Sequence, residues 1–340
     1  MILAAGLSPA WQQIVLLERL NVGEVNRARE VHWCASGKVL NVGLALKCLS
    51  TSPPLNKGGA GGVAGKYGVR IAPEADAPCN SECGIEVRTL ATVGGSIGGA
   101  IRRQFLSLEV PARWIETESP TRVCTTILDA VAATTTELVQ NAPAITDDEL
   151  EQFAHAYREE ARDADLIVLT GSLPAGVPAT FYRDLLAETQ GRVVLDAQHE
   201  PLLAALEARP FVVKPNREEL GRTLGRSLLT DEQVRDAIRE ICRRGATWAV
   251  VSEGKERVWI GSEQALLWVK PPPVAVVNPI GSGDCLAAGI AMALTRGEDV
   301  PDAVCYGMAA AAENVGQLLP ARLDPQRVAD LIRKVVVQTI

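Results

Sequence analysis

The sequence predicts an α/β fold: a mostly parallel sheet covered by helices, with a small β-sheet lid attached. Three observations predict it. From about Asp165 onward, short apolar strands alternate with amphipathic helical stretches, a succession that builds a parallel sheet with helices on both faces. Those strands, "LIVLTGS", "RVVLDAQ", "PFVVKPN" and "WAVVSEG", end in polar or small residues, and in such sheets ligands bind outside the carboxyl ends of the strands. The first half of the chain instead alternates polar with apolar residues, as in "TRVCTTILDA", which is the period of strands with one buried face.

Taken in order, the N-terminal "MILAAGLSPAW" reads as a buried strand, because it lacks the basic region and cleavage spacing of a signal peptide. Segments 11–34 and 113–140 are rich in Val, Thr, Leu and Ile and read as antiparallel lid strands, formed by two excursions from the main domain. A helix from about Asn41 to Leu49 lies between them. Residues 51–86 are crowded with Gly, Pro, Ala and Ser and read as an inserted loop. Its "GGAGGVAGKYG" approaches a Walker loop, but Ala60 replaces a required glycine, Tyr67 stands where Ser or Thr is needed, and no clear strand precedes it. No phosphate site is assigned there. Helices are expected over 178–189 and 231–244. Residues 1–340 are read as one domain, with 47% hydrophobic residues to form its core.

Composition narrows the function. A net charge of -7 argues against nucleic acid, whose phosphate backbone requires a basic face. No apolar run approaches the ~20 residues of a membrane helix, so a cytoplasmic protein is expected. Eight cysteines are scattered, mostly inside apolar runs, as suits reduced buried thiols. Cys79 and Cys83 form the single close pair, and no second Cys or His pair follows to complete a zinc site.

The stretch with the clearest chemistry is "VVNPIGSGDCLAAGIAMAL", Val276 to Leu294. A helix N-terminus presents unpaired N–H groups and the positive end of the helix dipole, so it attracts anions. Gly281, Ser282 and Gly283 let the backbone close around an oxyanion. Asp284 would repel a phosphate as a mere neighbour; it makes sense as a base that takes a proton from whatever attacks that phosphate. The alternative is an aspartate cap after a glycine turn. Asn216 and Glu219, three apart after Lys214-Pro215, face one side of a helix's first turn; they form either a capping box or part of a ligand site.

Several motifs, in order, resemble those of one family. "KPPPVAVVNPIGSGDCLAAG" is similar to the C-terminal motif of the ribokinase-like (PfkB) carbohydrate kinases. Its "PPPV" lead-in resembles most the branch of 1-phosphofructokinase, 6-phosphofructokinase and tagatose-6-phosphate kinase. "LSPAW", "GEVNRA", "ASGKVLNVGLAL", "GSLPAGV" and "VKPNREEL" resemble further family segments, and the resemblance covers nearly all of the chain outside the insertion. It implies a three-layer α/β/α domain with a lid, and ATP-dependent phosphoryl transfer to a sugar or sugar phosphate. Asp284 would be the general base, with the N–H groups from Gly281 to Asp284 as the anion hole. Asn216 and Glu219 would hold Mg²⁺ through water. Lys214, Ser252, Gly254, Asn314 and the wall from Pro272 to Val277 would face ATP. Gln12, Gly37, Lys38, Asn41 and Arg122 would face the acceptor, with a surface pairing of Arg122 to Glu116 or Glu118 as the alternative. The resemblance further implies a homodimer formed through the lid and raises a monovalent cation as an additional cofactor.

The acceptor end departs from the family. Gln12 stands where the family has an aspartate, Ser36 and Val39 replace glycines, and Asn278 replaces Asp, Ser or Thr. These departures keep two other readings open: a sugar or nucleotide sensor that retained the fold, and a kinase for another small alcohol. Retention of Asp284, Asn216 and Glu219 argues for the enzyme, because a sensor needs no base.

Overall fold

The computed structural model describes residues 1–51 and 84–339. The predicted insertion lies almost wholly outside them, together with its Walker-like stretch and the Cys79/Cys83 pair. The elements are β1 (Ile2–Gly6), β2 (Ala10–Leu17), β3 (Glu30–Ser36), α1 (Lys38–Ser50), β4 (Val87–Gly94), α2 (Gly95–Ser107), β5 (Ala112–Thr117), β6 (Arg122–Asp129), β7 (Thr134–Val139), α3 (Asp147–Ala161), β8 (Leu166–Thr170), α4 (Phe181–Ala187), β9 (Arg192–Asp196), α5 (His199–Ala205), β10 (Val212–Val213), α6 (Arg217–Thr223), α7 (Asp231–Arg243), β11 (Trp248–Ser252), β12 (Val258–Gly261), β13 (Leu266–Lys270), α8 (Ser282–Thr295), α9 (Val300–Val315), α10 (Pro325–Ile332) and β14 (Val336–Thr339).

The main sheet runs β14-β13-β12-β11-β10-β9-β8-β1-β4-β5. From β11 to β5 its neighbours pair in parallel, while β12, β13 and β14 extend one edge in antiparallel fashion. The central strands are apolar throughout because both faces are covered, and alternate residues feed two cores. Ile2, Ala4, Val168 and Val194 pack with α1, α8 and α9. Leu3, Ala5, Leu169 and Leu195 pack with α3, α4 and α7 on the other face. This is the expected three-layer α/β/α arrangement. α8 and α9 touch backbone to backbone: a Cβ on Gly289 would lie 2.5 Å from the Gly307 Cα, so only glycine allows this approach.

The lid is a separate sheet, β3-β2-β6-β7, and it corrects two expectations. Residues 112–117 belong to the edge of the main sheet, where β5 pairs with β4; the second lid excursion is β6 and β7 only. The β2–β6 pair is parallel, not antiparallel. A two-residue period reports a half-buried strand but not its partner. The six described cysteines are free thiols, and no helix among the described residues is long and apolar enough to cross a membrane.

Candidate active site

The carboxyl ends of the central strands, the start of α1, the start of α8 and one face of the lid enclose a cleft of about 650 Å³. The chain enters α8 through Gly281 at φ 81, ψ -1. A side chain there would be strained and its Cβ would lie 3.0 Å from Pro320 Cβ, so the turn requires glycine. Asn278 accepts from the Ile280 N–H at 3.1 Å and donates to Leu318 O at 2.8 Å. Asn314 is fully buried behind the same turn, donating to Ile280 O at 2.9 Å and accepting from the Ala321 N–H at 2.7 Å. This corrects the expected nucleotide contact: both ends of its amide are spent on the backbone, and it positions the turn from behind.

No side chain caps α8. Ser282 turns its N–H back to Pro279 O at 3.2 Å. Among the described residues the Gly281, Gly283 and Asp284 N–H groups have no backbone acceptor, so three of the four expected donors remain. Asp284 itself is 7% exposed, and its Oδ2 accepts a 2.8 Å hydrogen bond from Asn41 Nδ2. Asn41, expected at the acceptor, lines the cleft, donates to this carboxylate, and keeps its buried Oδ1 without a partner among the described residues. Burial pushes the Asp284 carboxyl up to about 6, with Lys38 opposing and Asp196 adding to the rise. A carboxyl placed there is ionised at neutral pH yet basic enough to accept a proton.

Facing it is a cationic pair held by one aspartate that sequence reasoning did not single out. Asp196, 1% exposed at the end of β9, accepts from Lys38 Nζ at 2.8 Å and lies 3.1 Å from Lys214 Nζ. Burial would raise its carboxyl, but Lys214 and Lys38 together hold it below the usual range. Burial likewise opposes the charge on Lys38, and the attraction of Asp196, Glu219 and Asp284 overcomes it, so its ammonium stays above its ordinary value. Lys38 lines the cleft between Asp196 and the α8 end. Lys214 reaches the same point: a Cβ on Gly283 would lie 3.5 Å from its Nζ. The available signal for Asp196 was its place at a strand tip in "VVLDAQ".

Asn216 and Glu219 form the capping box, each side chain bonding the other's backbone N–H at 2.8 Å. The box consumes Glu219 Oε2 and leaves Oε1 on the cleft side, 3.9 Å from Lys38 Nζ. Ser252 and Gly254 line the cleft beside them. Between them the Glu253 side chain is 8% exposed and meets Arg217 at 2.9 Å and Arg257 at 3.2 Å. The stretch from Pro272 to Val277 is absent from the cleft lining, which takes up this segment at Pro279; Val276 and Val277 are exposed.

The lid wall carries Ala10, Gln12, Arg122, Cys124, Glu137 and Val139, with Ser36 and Gly37 at the entrance to α1. Gln12 is 3% exposed and donates to Thr126 Oγ1 at 2.8 Å. Val39 is buried in the core and is not among the lining residues. Arg122 pairs with neither Glu116 nor Glu118; it donates to the carbonyls of Pro9, Gln140 and Ser8 at 3.3, 2.9 and 3.1 Å.

The sequence profile described as pfkB family carbohydrate kinase matches residues 77–326. The fold is similar to a possible 1-phosphofructokinase from Thermotoga maritima, with a TM-score of 0.82, 18% identity and coverage of 100% of this chain and 99% of that one. It is similar to phosphofructokinase-2 from Escherichia coli in complex with fructose-6-phosphate, with a TM-score of 0.78, 22% identity and 98% coverage of both chains; the same protein is also known in complex with potassium. Ribokinase from Arabidopsis thaliana, complexed with ribose and ATP, aligns with a TM-score of 0.68, 18% identity and coverage of 97% and 98%. Identities this low establish the shared fold, and the profile, matching well over half of the chain, establishes the family: the chain belongs to the pfkB family of carbohydrate kinases, phosphotransferases that act on a sugar hydroxyl.

Proposed function

We propose that the protein transfers the γ-phosphoryl group of ATP to a hydroxyl of a sugar or sugar phosphate, with Asp284 as general base. The observation that carries this reading is the buried Asp284 carboxylate, held by Asn41 at an uncapped helix N-terminus, with the charges of Lys38 and Lys214 acting on it. The acceptor hydroxyl gives its proton to Asp284 as its oxygen bonds to the γ-phosphorus. The bond from that phosphorus to the β–γ bridging oxygen breaks, and the electron pair leaves with ADP. The Gly281, Gly283 and Asp284 N–H groups, Lys38 and Lys214 meet the charge on the transferring phosphoryl group. Ser252 and Gly254 form the nucleotide side. A pure sensor would gain nothing from a carboxylate held near neutrality at this point.

Mg²⁺ fits the donor set when shared with the nucleotide. Among the described residues no cluster of three acidic, His or Cys side chains could hold a metal alone, but Glu219 keeps one oxygen toward the cleft. Magnesium commonly uses one or two carboxylates together with substrate phosphates and water. Asn216 shapes this position through the capping box. When bound, the ion supplies charge neutralisation on the phosphates. A monovalent cation is a further expected cofactor, in line with the potassium complex of the similar phosphofructokinase-2, and no step is assigned to it. The outer face of the lid exposes Val31, Trp33 and Leu138, which supports a homodimer through that face.

The test is a panel of pentoses, hexoses and hexose phosphates incubated with Mg-ATP, following ADP release and the mass of the sugar product. Acceptor-dependent ADP release with a phosphorylated product supports the reading. No acceptor dependence across the panel overturns it.

A further inference from the structure

The lid wall of the cleft is three strands abreast. Gln12 on β2 lies opposite Cys124 on β6; Cys124 lies opposite Val139 on β7, and Thr126 opposite Glu137. Side chains alternate along strands, so Gln12, Cys124, Glu137 and Val139 share one face, and all four line the cleft. The wall has two charged groups, Arg122 and Glu137, which sense one another electrostatically. Arg122 spends three of its five N–H donors on the carbonyls of Ser8, Pro9 and Gln140, tying the lid strands to the end of β1. Among the described residues Glu137 has no side-chain hydrogen bond or ion pair; only the charge of Arg122 acts on it. The other cations of the cleft are committed elsewhere: Lys38 and Lys214 to Asp196, and Arg217 to Glu253. Gln12 has given one of its two amide N–H donors to Thr126, so its oxygen and one N–H remain for an acceptor.

The wall therefore sets an unpaired carboxylate and an amide oxygen beside a guanidinium whose donors are mostly held by backbone carbonyls. A phosphate dianion there would face an unpaired carboxylate of its own sign, and such juxtaposition is how sites reject wrong ligands. A sugar hydroxyl, by contrast, is a donor. We propose that Glu137 sets the acceptor class: the wall receives the end of an unphosphorylated sugar, whose hydroxyls donate to Glu137 and Gln12, and it discriminates against sugar phosphates. This rests on the kinase reading above and deepens it.

The experiment compares kcat/KM for hexoses and their monophosphates in the wild type, Glu137→Gln and Glu137→Lys. The wild type is expected to favour the unphosphorylated sugar. Glu137→Gln should raise the phosphate-to-hexose ratio by about tenfold, the effect of one nearby charge in a partly solvated site, and Glu137→Lys should raise it further. A wild type that favours the phosphates, with a ratio unchanged within about twofold in both variants, overturns the inference and leaves the kinase reading standing. Failure of every sugar, phosphorylated or not, to accept a phosphoryl group overturns both.

Discussion

Replacing Asp284 with Asn should make the protein more stable at neutral pH while removing the proposed general base. The carboxyl titrates at about 6 in the folded protein against an ordinary value of 3.8, chiefly because it is buried. A folded-state value above the unfolded one means that the native protein binds more protons than the unfolded chain between about pH 4 and pH 6. Stability is then greatest below that window, is lost as pH rises through it, and levels off above. The difference of about 2 units corresponds to roughly 3 kcal/mol held against the fold at pH 8. Asn cannot titrate and still offers an oxygen to Asn41 Nδ2, so Asp284→Asn should recover that amount. Unfolding entropy of about 2.1 cal/mol/K per residue over this chain length turns ~3 kcal/mol into a Tm increase of about 4 °C. At pH 5 the gap should shrink to about half. Asp196, held below its ordinary value, has the opposite slope but is present in both proteins and largely cancels. Calorimetry of both proteins from pH 5 to pH 8 measures the gap. A variant less stable than wild type at pH 8, or a gap that does not change with pH, would refute the burial argument.

Three further outcomes follow from the geometry. Gly281→Ala forces a side chain into the left-handed region and places its Cβ 3.0 Å from Pro320 Cβ and 3.2 Å from Asn41 Nδ2; a loss of about 1–3 kcal/mol and at least about tenfold in kcat is expected, and wild-type Tm and kcat would contradict it. Gln12→Asp exchanges a neutral hydrogen-bond partner for a charged one, a difference of about 1–2 kcal/mol or roughly 5- to 30-fold in kcat/KM for the sugar that the wild type uses; a change under about twofold would place Gln12 outside the acceptor contacts. Trp33→Lys on the outer lid face, where Trp33 is 45% exposed, should convert a dimer into a monomer in sedimentation at micromolar concentration, and a wild type that is already monomeric removes the dimer.

The residues at strand tips and helix starts were legible because their chemistry is written locally. Gly281 to Asp284, Asn216 and Glu219 were singled out from short motifs, Lys214 and Gln12 through the family resemblance, and the structure gathers them around one cleft. Contacts made across the sheet were not legible. Asp196 follows an ordinary apolar strand, and its partner Lys38 is 158 residues away in sequence. Nothing local in "ASGKVLN" reports the bond of its lysine to a distant aspartate or of its asparagine to Asp284. Strand partnership was hidden for the same reason: β5 alternates as the lid strands do, yet hydrogen-bonds to β4. Asn314 was placed at the nucleotide by the family resemblance alone, and its two backbone partners, Ile280 and Ala321, lie far from it in sequence or outside its helix, where no local signal reports them.

The central claim is that Asp284 takes the acceptor's proton during phosphoryl transfer. It is tested most directly by rapid-quench single-turnover kinetics of wild type and Asp284→Asn, using the sugar found in the panel, with nucleotide affinity measured alongside by calorimetry. The account predicts a chemical step slowed by about 10²–10⁴ and an ATP affinity within about threefold of wild type, because a base acts in the transition state and little in the nucleotide ground state. A variant that keeps more than about a tenth of the wild-type rate would contradict it.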